Sequence, residues 1–290
     1  MLSACYIALR FIHFASLILL FGCTVYSVLL APGALRGVLV RQLQVVWRSA
    51  IGVSLISACL LLCVQGGKMG DGWLDVINPS VWLMVLGTQF GHIWAWLLIM
   101  AVTSVIVLAV QPRKMQAYLL VLTGLQLVLM ACVGHASLHD GGIGVLHRVN
   151  HTIHLLSASF WVGGLLPLLV CMRLASKTAW SDIAIESMMR FSRYGHLAVA
   201  AVIISGMINS LLIMGWNIPF ESNYFRLLLL KVVLVGVMVI LALINRYWLV
   251  AKFNHSALAK QQFIRLTWLE VILSAAILLL VSLFATQEPF

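Results

Sequence analysis

The sequence predicts an all-α polytopic membrane protein with eight transmembrane helices, and three observations carry that expectation. Hydrophobic residues make up 63% of the 290-residue chain and charged residues only 9%, with a mean hydropathy of +1.08. Soluble domains carry roughly 25% charged residues, so a globular cytosolic fold is excluded. Eight stretches are apolar enough to cross a bilayer core, which takes about 20 residues per helix. No connection between them could hold a soluble domain, so the chain reads as one transmembrane domain over 1–290.

The eight segments fall at about 4–30, 47–65, 91–110, 117–136, 148–172, 191–214, 225–249 and 267–286. The first is read as a retained helix rather than a signal peptide. Its first positive charge, Arg10, comes late, and the apolar run outlasts an h-region. The longest connection, Gly66 to Phe90, holds Gly66-Gly67, Gly70, Gly72 and Asn78-Pro79, which reads as turn chemistry. Its Trp73 and Trp82 suit the headgroup level. Segments 4 and 5 are joined by "DGGIGVL" after His139, read as a tight turn between antiparallel neighbours. Within the later segments, Lys231 is expected to snorkel outward and Glu270 to pair with Arg246.

Charge sets the orientation. The loops after segments 1, 3, 5 and 7 hold 13 lysines and arginines, from Arg36 to Arg265. The opposite side holds 4: Lys68, Arg148, Arg226 and Lys231. The positive-inside bias puts the first set in the cytoplasm and both termini outside. A topological cause thus accounts for the net charge of +10 better than a nucleic-acid surface does. The chain has no GxxxxGK[ST] phosphate loop, so neither nucleotide nor ATP hydrolysis is expected, and no enzymatic constellation is read. The six cysteines, all within or beside apolar segments, lack zinc-ribbon spacing.

The function signal is histidine. On this topology seven of nine histidines lie on the outer side. His135 and His139 end segment 4, while His147, His151 and His154, at i, i+4 and i+7, begin segment 5 on one helical stripe. His92 begins segment 3, and His13 lies in the outer half of segment 1. Such a density at one hairpin exceeds what packing needs and points to a metal. His139 and His147 serve equally well as interfacial polar residues, and His92, near Trp94 and Trp96, as an anchor. His151 and His154 are read as functional, because polar groups at membrane depth are costly and face the bundle interior or a cavity. His196 is read as structural.

Auxiliary groups on the outer half are Cys59 and Cys63 at i, i+4, Cys132, Met69, Met207 and Met214. Thiolates and thioethers favour Cu(I), although each alone is more simply core filling. Arg10, one turn above His13, gates a cation or snorkels. Trp161, Gly163 and Gly164 are read as packing below the outer site.

An internal duplication is also legible. "RFIHFASLILLFG" (10–22) and "HTIHLLSASFWVG" (151–163) align at a constant offset, matching Ile12, His13, Ser16 and Gly22 with Ile153, His154, Ser157 and Gly163. Repeats of about 1–136 and 148–286 follow, with the substrate expected at their interface.

At "NHTIHLLSASFWVGGLLPL" the chain resembles the CopD family of bacterial inner-membrane copper-resistance proteins. "RFIHFASLILLFG", "QGGKMGDGWLDV", "TQFGHIWAW" and the C-terminal "EPF" resemble its short stand-alone YebZ-type branch. The resemblance implies an eight-helix core and copper handling between periplasm and cytoplasm. It also implies a small periplasmic copper-binding partner of the CopC type, and His13, His151 and His154 as copper ligands. The leading expectation is copper uptake through a histidine-lined outer site, with the termini periplasmic. One rival is a b-type haem electron carrier, with His13 and His154 supplying axial ligands. Another is a non-transporting copper sensor or dock for a periplasmic chaperone.

Overall fold

A computed structural model of the chain describes residues 1–134, 140–215, 222–252 and 256–284. His135 and His139, the end of the fourth expected segment, His255 and the C-terminal "EPF" lie outside the described residues. Among those described, the structure is helical, without strands.

The helices are α1 (Leu2–Val25, continued by a π-helical turn, Tyr26–Leu30), α2 (Gly33–Gln42), α3 (Gln44–Met69), α4 (Pro79–Leu86) and α5 (Gln89–Val110). They continue as α6 (Met115–Ala131), α7 (Gly141–Ala175), α8 (Ser181–Met214), α9 (Asn223–Leu243, with a π turn Ile244–Leu249) and α10 (Ala257–Phe284). Seven are long and apolar enough to span a membrane, and α6 is a shorter apolar helix. Its 17 residues rise about 25 Å, just short of a ~30 Å hydrocarbon core.

Local chemistry punctuates these elements. Asn78 caps α4 by accepting from the Ser80 amide at 3.2 Å, with Pro79 at the first helical position, where no N–H is needed. Thr88 accepts from the Gly91 amide at 3.1 Å to start α5, and Ser222 does the same for Phe225 at 3.1 Å to start α9. At the end of the α1 π turn, Arg36 donates to the Ser27 and Val28 carbonyls, both at 2.9 Å. A cation there meets the negative end of the helix dipole.

Three local expectations are corrected. "GGIGVL" is not a tight turn but the first turns of α7, with only Gly141 left-handed (φ 62°). Continuous i→i−4 bonding satisfies that backbone better than a turn would, and 35 residues let α7 overhang a bilayer at its ends. The Gly66–Phe90 connection is partly ordered: α3 runs to Met69, α4 fills 79–86, and Trp82 Nε1 donates to the Val76 carbonyl at 2.9 Å. Glu270 takes a hydrogen bond from Asn245 Nδ2 at 2.7 Å rather than an ion pair from Arg246. Asn245, whose Nδ2 also reaches Thr267 Oγ1 at 3.4 Å, gives that buried carboxylate a neutral donor, which avoids moving a second charge out of water.

α1 and α7 form the centre. α1 packs on α3, α6, α7 and α10, and α7 packs on α1, α6, α8 and α10. Gly22 and Gly163 make the closest approach between them, since a Cβ on Gly22 would lie 2.0 Å from the Gly163 carbonyl carbon. Small residues permit such backbone contact between membrane helices. Pro167, four residues beyond Gly163, has no N–H to return to that carbonyl. The Gly163 oxygen sits 2.2 Å from where a Gly22 Cβ would stand. α9 and α8 lie at the periphery, with apolar side chains such as Ile204, Leu229 and Val232 exposed outward.

Candidate functional site

Two histidines on the central helices are held in the same way. His13 Nδ1 lies 3.0 Å from Ser57 Oγ on α3, and His154 Nδ1 lies 3.0 Å from Ser205 Oγ on α8. Each serine spends its single hydrogen on its own helix: Ser57 donates to the Val53 carbonyl at 2.6 Å, and Ser205 to the Ala201 carbonyl. A hydroxyl whose hydrogen stays on its own helix is left to accept, and that arrangement favours the imidazole tautomer protonated on Nδ1. Nε2 is left as the lone-pair nitrogen, the arrangement by which an outer partner prepares a metal-binding histidine.

The two rings do not meet. Gly22 follows His13 by nine residues, and Gly163 follows His154 by nine. At about 100° per residue this is a half-turn, so each histidine points away from the face where the helices touch. His13 faces α3, fully buried, with its ring centre 5.8 Å from that of Trp94, and its Nε2 has no hydrogen-bond partner. His154 faces α8. The expected sharing of one ion, metal or haem iron, by His13 and His154 is not the placement found; the glycine contact turns them back to back.

The α7 stripe does converge. His147, His151 and His154 line one cavity of about 760 Å³ walled chiefly by α1, α7, α8, α9 and α10, with residues of α3, α5 and α6 at its edge. The rings of His151 and His154 stand 6.3 Å apart, centre to centre, and nearly parallel at 9°. Asn150 Nδ2 donates to Asn209 Oδ1 at 2.9 Å and to the Ser205 carbonyl at 2.9 Å. This fixes the Asn209 amide so that its Nδ2 donates to His151 Nδ1 at 3.2 Å. Asn150, Asn209, Ser57 and Ser205 were missed by the sequence reading; polar amides at membrane depth were the available signal for the two asparagines, and the serines carried none.

The remaining expected residues are dispersed. Arg10 and Trp161 line the cavity, and so does Lys231, which turns inward instead of snorkelling. His92, Cys59, Met69 and Met207 are exposed on outer faces. Cys63 and Cys132 are half-buried and do not line the cavity. Met214 packs with Tyr224 and Leu228 as core. Among the described residues no group of three or more His, Cys, Asp or Glu side chains is placed to hold a metal ion.

Fold and site together define a class: a polytopic helical membrane protein with a histidine-walled cavity beside its central helix pair. The copper resistance protein D-like N-terminal domain matches residues 1–145, and the copper resistance protein D domain matches residues 185–284. The chain is 46% identical to the inner membrane protein YebZ of Escherichia coli (strain K12), covering 100% of both chains. It is 28% identical to copper resistance protein D of Pseudomonas syringae pv. tomato, over 86% of this chain and 84% of that one. It is 25% identical to copper transport protein CutJ of Bacillus subtilis (strain 168), over 97% of this chain and 53% of that relative. No solved structure matches. The chain belongs to the copper resistance protein D family.

Proposed function

We propose that this protein moves copper across the bacterial inner membrane from periplasm to cytoplasm, capturing it on the α7 histidine stripe. The observation that carries this reading is the His151–His154 pair on the cavity wall, with His154 Nε2 prepared as a lone-pair donor by Ser205. Imidazole suits copper, and the relatives' names connect their proteins with copper resistance, copper transport and the inner membrane. The distribution of lysine and arginine supports a topology with both termini in the periplasm. An inside-negative potential then favours cation entry by about 2.3 kcal/mol per charge per 100 mV. Replacing His151 and His154 together by Ala is expected to lower copper accumulation in intact cells at unchanged protein level. Unchanged accumulation would refute the assignment.

We also read the chain as two four-span halves, about 1–136 and 148–286. The equivalent His13–Ser57 and His154–Ser205 pairs support it, as does Gly22 meeting Gly163, its own counterpart at the repeat offset. The cavity then lies beside the junction of the halves, where repeat-built transporters place their substrates.

A further inference from the structure

The cavity is far larger and more positive than a copper ion requires. An ion with one water needs on the order of 30 Å³, against about 760 Å³ here, a volume in the range of small-molecule pockets. Three cations line it: Arg10, Lys68 and Lys231. Among the described residues no Asp or Glu lines it, and the ion pair found, Arg190–Glu186, lies elsewhere. Arg10 and Lys68 gather at one end, with Arg10 Cζ 6.0 Å and Lys68 Nζ 4.4 Å from the centre of the Tyr6 ring. Arg10 Nε is buried without a hydrogen-bond partner. Lys231 stands on another wall, its Nζ 6.0 Å from the centre of the Phe284 ring. The surface around them is aromatic and aliphatic, including Phe14, Phe90, Trp94, Trp161 and Trp268.

Among the described residues no acidic side chain faces Arg10 or Lys231, and a cation beside an apolar wall is costly unless an anion neutralises it. We propose that the cavity binds an amphipathic acid, an apolar body of several rings or a long chain, with carboxylate or phosphate groups held by Arg10, Lys68 and Lys231. Two sources share this chemistry, a membrane lipid and a tetrapyrrole dicarboxylate. The assignment does not depend on copper transport.

The test uses the full chain purified in mild detergent, analysed by solvent extraction with mass spectrometry and by visible absorption. The expected result is one acid retained at about one per chain. A phospholipid or fatty acid in the extract identifies the lipid source, and an intense band near the violet identifies the tetrapyrrole. Titration of stripped protein with oleate, phosphatidylglycerol or protohaem should restore binding by the corresponding source. The Arg10→Gln, Lys231→Gln double variant should weaken retention about tenfold or more, the loss of charge-assisted hydrogen bonds. Lys231→Arg, which keeps the charge, and Lys252→Gln, on an exposed 3-10 turn away from the cavity, should retain it. A wild-type protein that retains no acid and binds none of the three probes overturns the proposal. So does a double variant that elutes as a folded species and binds like wild type. Loss of acid with intact copper accumulation, or the reverse, separates this inference from the copper assignment.

Discussion

Gly22 and Gly163 touch backbone to backbone, and this contact decides where both central histidines point. A Cβ on either glycine would fall within 2.3 Å of the opposite main chain. The consequence is that α1 and α7 share a seam, with His13 directed to Ser57 on one side and His154 to Ser205 on the other.

Substitution at that seam should therefore reverse the usual sign of a helical Gly→Ala change. Away from contacts such a change stabilises by roughly 0.5–1 kcal/mol. Gly52, where an added Cβ meets nothing within 4 Å, should behave that way. Gly22→Ala or Gly163→Ala should instead destabilise by about 1–3 kcal/mol, the cost of overpacking. Thermal unfolding in detergent checks this: the apparent Tm should fall for both seam variants and hold or rise for Gly52→Ala.

Ser205→Ala removes the acceptor that keeps the His154 proton on Nδ1. A buried N–H is left without its partner, at a cost of about 1–3 kcal/mol. Copper affinity should fall about 10-fold or more, as for lost outer partners of ligating histidines. Competition titration against a copper chelator reads the change, and Ser205→Thr, which retains the hydroxyl, should restore most of it. An unchanged affinity in Ser205→Ala would remove His154 from the proposed copper site.

Asn209 holds His151 through its amide while accepting from Asn150. Asn209→Ala should free the His151 ring and cost about 1–2 kcal/mol of stability. Asn209→Asp, which keeps an acceptor for Asn150 but offers His151 no amide donor, should keep more of the stability. If both variants melt like wild type, the amide chain contributes nothing to the α7–α8 packing.

Glu270 gives a test between two partners. Its contact is Asn245 Nδ2 at 2.7 Å, with Ser274 Oγ donating to its main-chain carbonyl at 2.7 Å. Glu270→Gln keeps an oxygen for Asn245 and should leave stability within about 1 kcal/mol of wild type. Glu270→Leu leaves the buried amide only the long 3.4 Å contact with Thr267 Oγ1 and should cost about 1–3 kcal/mol. Arg246→Gln should be near neutral; a loss as large as that of Glu270→Leu would restore the ion pair that charge alone suggests.

Much of the membrane architecture was readable in the linear chain, because a segment that must satisfy its backbone in lipid writes its own length in apolar residues. The stripe of His147, His151 and His154 was readable for a similar local reason: spacings of four and three place side chains on one face whatever the helix packs against. The fixed offset of 141 residues that pairs Gly22 with Gly163 and His13 with His154 was also visible.

What lay beyond the linear chain was rotation. A helix that is apolar on nearly every side carries no stripe to say which face turns inward, so α1 and α7 could not be oriented from composition. Their seam, and with it the separation of His13 from the cavity, came from a glycine contact between residues 141 positions apart. The serines that set the imidazole tautomers, and the three cations that share one cavity, likewise sit on different helices. Periodicity reports neighbours within one helix, and only packing between helices decides which of those faces meet.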